Sequence, residues 1–128
     1  MTKAPTSLAI LLWASDLTHP ERLATPFVMA QAASALDMPV EIYFSAQSVQ
    51  LLTSQAGRIL IGFGSEQLPL SDYLEKAHEV GVQMYVCGQA MRGAGLGLQD
   101  LSPLCSGVGG SVQFISRCAD DAWRTLVF

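Results

Sequence analysis

Residues 71–88 read SDYLEKAHEVGVQMYVCG, and this stretch decides the fold class. Ser71 or Asp72 is the type of residue that caps a helix, and apolar side chains then recur at helical spacing until Gly81. Glycine commonly ends helices, and the run after it is rich in residues that favour strands until it reaches Cys87. The stretch therefore predicts a helix that leads into a buried strand, which is the repeating unit of an α/β protein.

The same alternation extends over the rest of the chain. Predicted strands are 7–14, 40–45, 82–86, a short one at 107–108 and 123–128; predicted helices begin at Thr18 or Thr25 and run to 37, and span 47–53, 71–80 and 111–122, with a helical start at 89–92. Residues 58–63 fit either a strand or a loop, because their apolar run is short and glycines follow it. The alternation predicts a parallel sheet with helices on both faces.

Two details of these helices are also predicted from the pattern. In the first helix the polar residues share one side, so the other side is expected to face the core. That expected buried side contains Val28, Met29, Ala32, Ala33 and Leu36. In the last helix Cys118 lies in the middle of the predicted range, where we expect it to pack against neighbouring residues.

Composition limits the kind of protein this is. The chain has 128 residues, of which 50% are hydrophobic, so a single domain over 1–128 with a well-filled core is expected. Charged residues make up 14% of the chain, against about 25% in a typical soluble protein. Burial between subunits explains that deficit. The longest apolar stretch, 8–14, is too short to span a membrane, so we predict a soluble homo-oligomer.

Charge and the N-terminal segment indicate where the protein works. Met1 to Thr6 contains one lysine and no cleavage pattern of small residues, so no secretory signal is predicted and a cytoplasmic location is expected. The formal net charge is −4 and the basic residues are scattered singly. Such a chain offers no positive stripe for a phosphate backbone, and neither nucleic acid nor membrane is an expected partner.

The strongest chemical candidate is a cysteine thiol. The three cysteines, Cys87, Cys105 and Cys118, form no C-x-x-C pair, and an odd count in a reducing compartment argues for at least one free thiol. Ligands of open α/β sheets bind beyond the carboxyl ends of the strands, and Cys87 is predicted to lie at such an end. A thiol at the start of a helix is favoured as thiolate. Free cysteine is also often a small buried hydrophobe, so the position alone leaves both interpretations open.

Several residues near that edge are candidate binding residues. Gly88 lacks a side chain and lets a second sulfur approach, although it also suits a tight turn. Arg92 lies one helical turn further on and can supply a cation. Ser15 and His19 follow the first predicted strand and lie at the same edge of the sheet, where His19 either approaches the thiol or is a solvated turn residue.

The segment 81–91, GVQMYVCGQAM, resembles the strand-plus-cysteine motif of the DsrE/DsrF-like family. The C-terminal run 107–114 and its continuation 119–128 resemble that family's last helix and strand. The resemblance implies a flavodoxin-like three-layer sandwich with a mostly parallel sheet of about five strands, and assembly into trimers or hexamers. It also implies that Cys87 carries a persulfide between a sulfur donor and an acceptor protein, with Gly88, Gln89 and Arg92 next to it.

No other motif in the sequence predicts a cofactor-binding or metal-binding site. The glycines at 93–97 are not a dinucleotide fingerprint, because that motif belongs in the first strand-to-helix turn, and residues 15–18 contain no glycine. His19 and His78 lack neighbouring ligand residues, so no metal site is expected. No cofactor is predicted.

Three functions remain open at this point. The first is a sulfur carrier or sulfurtransferase-like protein that uses Cys87. The second is a thiol redox protein in which Cys105 resolves the oxidised Cys87. The third is an oligomeric ligand-binding or scaffold module with an inert Cys87, and the sequence leaves undecided whether the protein is an enzyme.

Overall fold

The computed structural model describes residues 6–128. Met1 to Thr6, where no secretory signal is predicted, therefore lies outside the described residues except for Thr6. The strands are β1 (Ser7–Leu12), β2 (Val40–Phe44), β3 (Leu60–Ile61), β4 (Leu68–Pro69), β5 (Gln83–Val86), β6 (Gly107–Val108) and β7 (Trp123–Val127). The α-helices are α1 (Ala24–Ala35), α2 (Leu70–Glu79), α3 (Gly88–Gly93) and α4 (Ser111–Cys118), with short 3₁₀ turns at Pro20–Arg22, Ala46–Leu52, Ala56–Arg58, Gly64–Glu66 and Leu98–Asp100.

Within residues 6–128, five strands form one parallel sheet in the order β6-β5-β2-β1-β7. The predicted α/β fold with a parallel sheet between layers of helices is confirmed. The open question at 58–63 is resolved by a small antiparallel hairpin, because β3 pairs with β4 outside the main sheet.

One face of the sheet carries most of the core. The chain passes from β1 to β2, β5 and β6 in one direction across the sheet, and right-handed crossovers then place α1, α2 and α3 on the same side. We call this side the first face. Its fully or almost fully buried strand residues are Leu8, Ile10, Leu12, Ile42, Phe44, Met84 and Val86.

The opposite side, here called the second face, is covered by less of the chain. The connection from β6 to β7 runs back across the sheet, so α4 packs on this side. Ala9 and Tyr43 are buried beneath Phe114 of α4. Tyr85 and Trp123 pack at the margin of this smaller cluster and stay partly exposed.

The predicted buried side of α1 is wrong in all its members except Ala33. The helix buries Ala24, Phe27, Ala30 and Ala33, together with Pro26, at the spacing that places them on one face. Val28, Met29 and Leu36 are instead 38%, 43% and 75% exposed. Since α1 is apolar nearly all round, the sequence pattern does not single out one side, and the small alanines are what allow close packing on the sheet.

Two helix ends also differ from the prediction. The residue before α2 is Pro69 and no side chain caps the helix, so Ser71 and Asp72 lie inside its first turn. The last helix, α4, ends at Cys118 and not at 122, because the chain turns where Asp120 accepts a hydrogen bond from the N–H of Ala122. Cys118 is therefore exposed at a helix end and does not pack in the middle of a helix.

Candidate functional site

Cys87 follows directly after β5, as predicted. Its N–H donates to the carbonyl oxygen of Phe44 at 2.9 Å, which makes it the last residue held by the sheet. Its own carbonyl oxygen accepts a hydrogen bond from the N–H of Met91 at 2.9 Å, which starts α3. The thiol is thereby fixed at the carboxyl edge between a buried strand and a helix.

This edge is the topological switch point of the sheet. The chain leaves β5 towards α3 on the first face, whereas it leaves the adjacent β6 towards α4 on the second face. The two strands stay joined up to this point, since the N–H of Gly109 donates to the carbonyl oxygen of Val86 at 3.0 Å. Ligands of open α/β sheets bind where the connections diverge in this way, because a crevice opens between them.

The thiol lies on the α4 side of that crevice. Side chains alternate along a strand, and Met84 and Val86 are buried on the first face. Tyr85 therefore faces the second face, and continued alternation gives Cys87 the same direction. The cysteine as a whole is half-buried.

Gly88 and Arg92 form one wall of the site. An added Cβ at Gly88 would lie 3.1 Å from Nη1 of Arg92 and 3.2 Å from Cγ1 of Val108. The guanidinium of Arg92 thus folds back over the residue that follows Cys87. Gln89 is exposed on the same helical turn. Four of the predicted site residues therefore lie within residues 87–92, namely Cys87, Gly88, Gln89 and Arg92.

Gly109 supports the opposite wall by its lack of a side chain. A Cβ at this position would lie 2.9 Å from Cβ of Tyr85, which is closer than carbon atoms tolerate. A larger residue would push β6 and the start of α4 away from β5. Glycine at 109 therefore keeps the crevice beside Cys87 narrow.

The other two cysteines lie away from this site. The register pairs Tyr85 with Gly107, so Cys105 lies about four residues, or roughly 13 Å, below Cys87 along the strands. Cys105 also packs against the first-face core, with its Sγ 3.6 Å from the carbonyl oxygen of Gly107. Cys118 lies at the far end of α4. A disulfide requires Cα atoms about 4.4 to 6.8 Å apart, so this register brings no second cysteine to Cys87.

Ser15 and His19 belong to a different part of the edge. They follow β1, and β2 lies between β1 and β5, which separates them from Cys87 by two strand spacings, or about 10 Å. They line a recess at the ends of β1 and β7 that does not include the cysteine. The neighbouring Asp16 accepts hydrogen bonds from the hydroxyl and the N–H of Thr18, and these lower the pKa of its carboxyl group.

Sequence reasoning missed a partly buried ion pair on the second face. Glu41 of β2 accepts hydrogen bonds from Nε and Nη2 of Arg117 at 2.9 and 3.0 Å, and from the hydroxyl of Tyr43 at 2.7 Å. The guanidinium carbon of Arg117 lies 4.4 Å from the ring centroid of Trp123. A glutamate inside the β-rich run VEIYF was the one available signal, because a buried carboxylate requires a partner.

These contacts change the titration of the cluster. Burial, followed by the hydrogen bond to Glu41, raises the pKa of Tyr43 to about 12. The hydrogen bonds to Glu41 raise the pKa of Arg117 above its ordinary value. Tyr43 also stacks on Tyr85 at 5.5 Å between ring centroids, so the ion pair is linked by packing to the residue two before Cys87.

Among residues 6–128, no group of three or more His, Cys, Asp or Glu side chains is placed to hold a metal ion. None of the helices in this described part combines the length and the apolar character that a membrane crossing requires.

Comparison with known proteins places the chain among its relatives. The protein of unknown function MTH1491 from Methanobacterium thermoautotrophicum has a similar structure, with a TM-score of 0.69 and 18% identity over 95% of this chain and 98% of that chain. The ychN protein from E. coli gives a TM-score of 0.64 and 15% identity over 96% of this chain and 99% of that chain. These likenesses show a shared fold.

No curated protein matches the sequence significantly. The family model described as the DsrE/DsrF-like family matches residues 10–128, which is nearly the whole chain. The protein therefore belongs to the DsrE/DsrF-like family.

Proposed function

We propose that this protein is a cysteine-based sulfur carrier, or a sulfurtransferase-like protein, that holds a persulfide on Cys87 and passes its outer sulfur to a partner. The observation that carries the proposal is the position of Cys87 at the switch point between β5 and β6. Family membership supports it, because the sulfur-relay members of this family are expected to carry sulfur on the matching cysteine.

The proposed chemistry needs no oxidant or reductant. The thiolate of Cys87 attacks the outer sulfur of a donor persulfide, forming a new S–S bond while the donor's own S–S bond breaks. The donor leaves as a thiolate, and Cys87 now carries the outer sulfur. An acceptor thiolate then attacks that sulfur, and Cys87 is released as a thiolate.

The surrounding residues have distinct roles in this proposal. The guanidinium of Arg92, folded back over Gly88, supplies positive charge beside the persulfide anion. Gly88, which has no side chain, lets that guanidinium and Val108 pack against the turn directly after Cys87. Gln89 is exposed on the same turn and offers an amide to the partner chain.

The redox alternative receives less support from the same geometry. Cys105 lies about 13 Å below Cys87 along the strands and on the other side of the sheet. A resolving cysteine must approach within disulfide distance, so this mechanism needs the segment before β6 to move. If Cys87 takes up no sulfur, the third function, a ligand-binding or scaffold module with an inert cysteine, is the better account.

Mass spectrometry after exposure to polysulfide tests the proposal. We expect one added sulfur on the peptide that contains Cys87, and loss of that addition in Cys87→Ser with the fold retained. Cys118→Ser is the matched control, because Cys118 is more exposed than Cys87 and its removal should leave the loading unchanged. Equal loading of all three cysteines, or full loading in Cys87→Ser, would contradict the carrier function.

We also propose that the protein is a homo-oligomer, a trimer or a hexamer, that buries part of the second face. The outer side of α4 exposes Val112 and Ile115 to 87% and 60%, and Trp13 and Val127 at the ends of β1 and β7 are 59% and 55% exposed. Large apolar side chains in this number are typical of surfaces that bind other subunits. The chain has few charged residues, so electrostatic repulsion between its copies is weak.

Light scattering at micromolar concentration tests the assembly. The wild-type chain should give the mass of a trimer or a hexamer, and Ile115→Asp should shift it towards the monomer. Glu75→Ala, on an exposed part of α2 away from the second face, is the control. A monomeric wild-type protein would contradict the assembly.

We further propose a cytoplasmic location. The three free cysteines fit a reducing compartment, and cell fractionation tests the location.

A further inference from the structure

A recess of about 190 Å³ lies at the carboxyl ends of β1 and β7, on the other side of β2 from Cys87. It is too small for a drug-sized molecule, for which pockets of about 300 Å³ or more are usual. Its polar lining consists of Ser15, Asp16, His19 and Arg22, and its apolar lining includes Leu23 and Phe128.

Ser15 is the most deeply buried polar residue of this recess. The residue is 9% exposed, and its hydroxyl makes no hydrogen bond within residues 6–128. No fully enclosed side-chain oxygen in that described part lacks a partner, so the Ser15 hydroxyl opens into the recess. A hydroxyl that opens into a recess hydrogen-bonds to water, and a polar ligand that enters the recess can take the place of that water.

The same recess contains two cationic or potentially cationic side chains. Nδ1 of His19 and Nε of Arg22 lie 3.4 and 4.0 Å from Oε1 of Glu21. All three side chains are more than half exposed, and ion pairs of this kind contribute little to stability. A negatively charged ligand can therefore replace Glu21 as the partner of His19 and Arg22.

The one carboxylate in the lining, that of Asp16, is hydrogen-bonded within its own loop. Oδ1 of Asp16 accepts hydrogen bonds from the N–H and the hydroxyl of Thr18. The donors that face the recess are the Ser15 hydroxyl, the His19 ring and the Arg22 guanidinium, and an anionic ligand competes for the last two with the charge of Asp16. A hydroxyl with a planar guanidinium is a donor set that suits oxyanions.

We propose that this recess is a binding site for a compact oxyanion, held by Ser15, His19 and Arg22. The proposal goes beyond the sulfur-carrier function, because none of these residues contacts Cys87 and no step of the transfer is needed for binding. A sulfur or phosphorus oxyanion and a short carboxylate share the required chemistry.

Titrations of the full ¹⁵N-labelled chain followed by NMR test the site. Sodium sulfate represents the inorganic oxyanion and sodium acetate the carboxylate, each compared with sodium chloride at matched ionic strength. We expect saturable displacement of the backbone signals of residues 15–23 by one or both probes, and the probe that saturates at lower concentration identifies the source. Signals around Cys87 should stay unchanged.

Single substitutions separate this site from general charge effects. Arg22→Gln should weaken binding about tenfold and Ser15→Ala by a smaller factor, because each removes a donor. Glu21→Gln should tighten binding about twofold, because it removes the competing carboxylate. Arg58→Gln, an exposed arginine outside the recess, is the matched control, and Cys87→Ser should bind like the wild type.

Two results would overturn the proposal. The first is a linear, unsaturated response to both probes, and the second is equal affinity of Arg22→Gln and Arg58→Gln. Should Ser15→Ala fail to fold, the exposed Arg22 and Glu21 variants decide the question. Since Cys87→Ser blocks sulfur loading without affecting this recess, failure of one proposal is distinguishable from failure of the other.

Discussion

The two faces of the sheet are stabilised by different physical means. The first face is a continuous apolar core in which Phe27 and Phe44 pack at 6.5 Å between ring centroids. The second face combines a small aromatic cluster with a partly buried ion pair between Glu41 of β2 and Arg117 of the eight-residue helix α4. The first face therefore supplies most of the folding free energy, whereas the second face contributes less, packs against the strand that leads to Cys87 and remains partly open.

The largest effect is expected from a cavity in the first face. Phe44→Ala removes a fully buried ring and should lower the free energy of unfolding by about 3 to 5 kcal/mol, through lost burial and an unfilled cavity. Urea unfolding followed by circular dichroism measures it. Glu75→Ala on the exposed part of α2 is the control and should change the free energy by less than about 0.5 kcal/mol. Similar losses of unfolding free energy in both variants would contradict the role of the first face as the main core.

A smaller and asymmetric effect is expected from the second-face ion pair. Arg117→Ala leaves the carboxylate of Glu41 buried with the Tyr43 hydroxyl as its partner, which should cost about 2 to 3 kcal/mol. Glu41→Gln leaves a guanidinium that can reach water, so about 1 kcal/mol is expected. Unfolding free energies of both variants test the order. A larger loss in Glu41→Gln would contradict this order.

The contribution of the second face to the free energy of unfolding should also fall at high pH. The pKa of Tyr43 is raised from 10.0 to about 12, so folding favours the protonated phenol. That contribution is complete below about pH 10 and is lost as the pH rises towards 12. Two pKa units correspond to roughly 3 kcal/mol. Unfolding measured at pH 9 and 11 on wild type and Tyr43→Phe checks it. The variant should lack this part of the pH dependence, and parallel losses in both proteins would contradict the assignment.

The smallest effect on stability is expected at the boundary between the two faces. In Gly88→Ala the new methyl group meets the mobile end of Arg92 and Cγ1 of Val108 on a short edge strand, so the loss should stay below about 1 kcal/mol. The displaced guanidinium should make alkylation of Cys87 several-fold slower. The alkylation rate of Cys118 in the same sample is the internal reference. Unchanged alkylation of Cys87 would mean that Arg92 does not assist its thiol.

Much of the fold and one part of the site followed from local patterns. The strand before Cys87 and the helix after it depend on residue types within a few positions, which is why their boundaries differ little from prediction. The buried side of α1 could not be predicted, since its residues are apolar almost all round and only contact with the sheet selects Phe27 and Ala30. Glu41 and Arg117 are 76 residues apart, so no local pattern pairs them.

By itself, the sequence determined the α/β class and the place of Cys87 at the end of a strand, because periodicity and helix-breaking residues act over short distances. The tertiary structure alone decided which strands are neighbours. The order β6-β5-β2-β1-β7 places Cys87 where the connections diverge to opposite faces, and it puts β2 between Cys87 and the residues Ser15 and His19. Strand order depends on which long-range pairings bury the most apolar surface together, and that is a property of the whole chain and not of any segment.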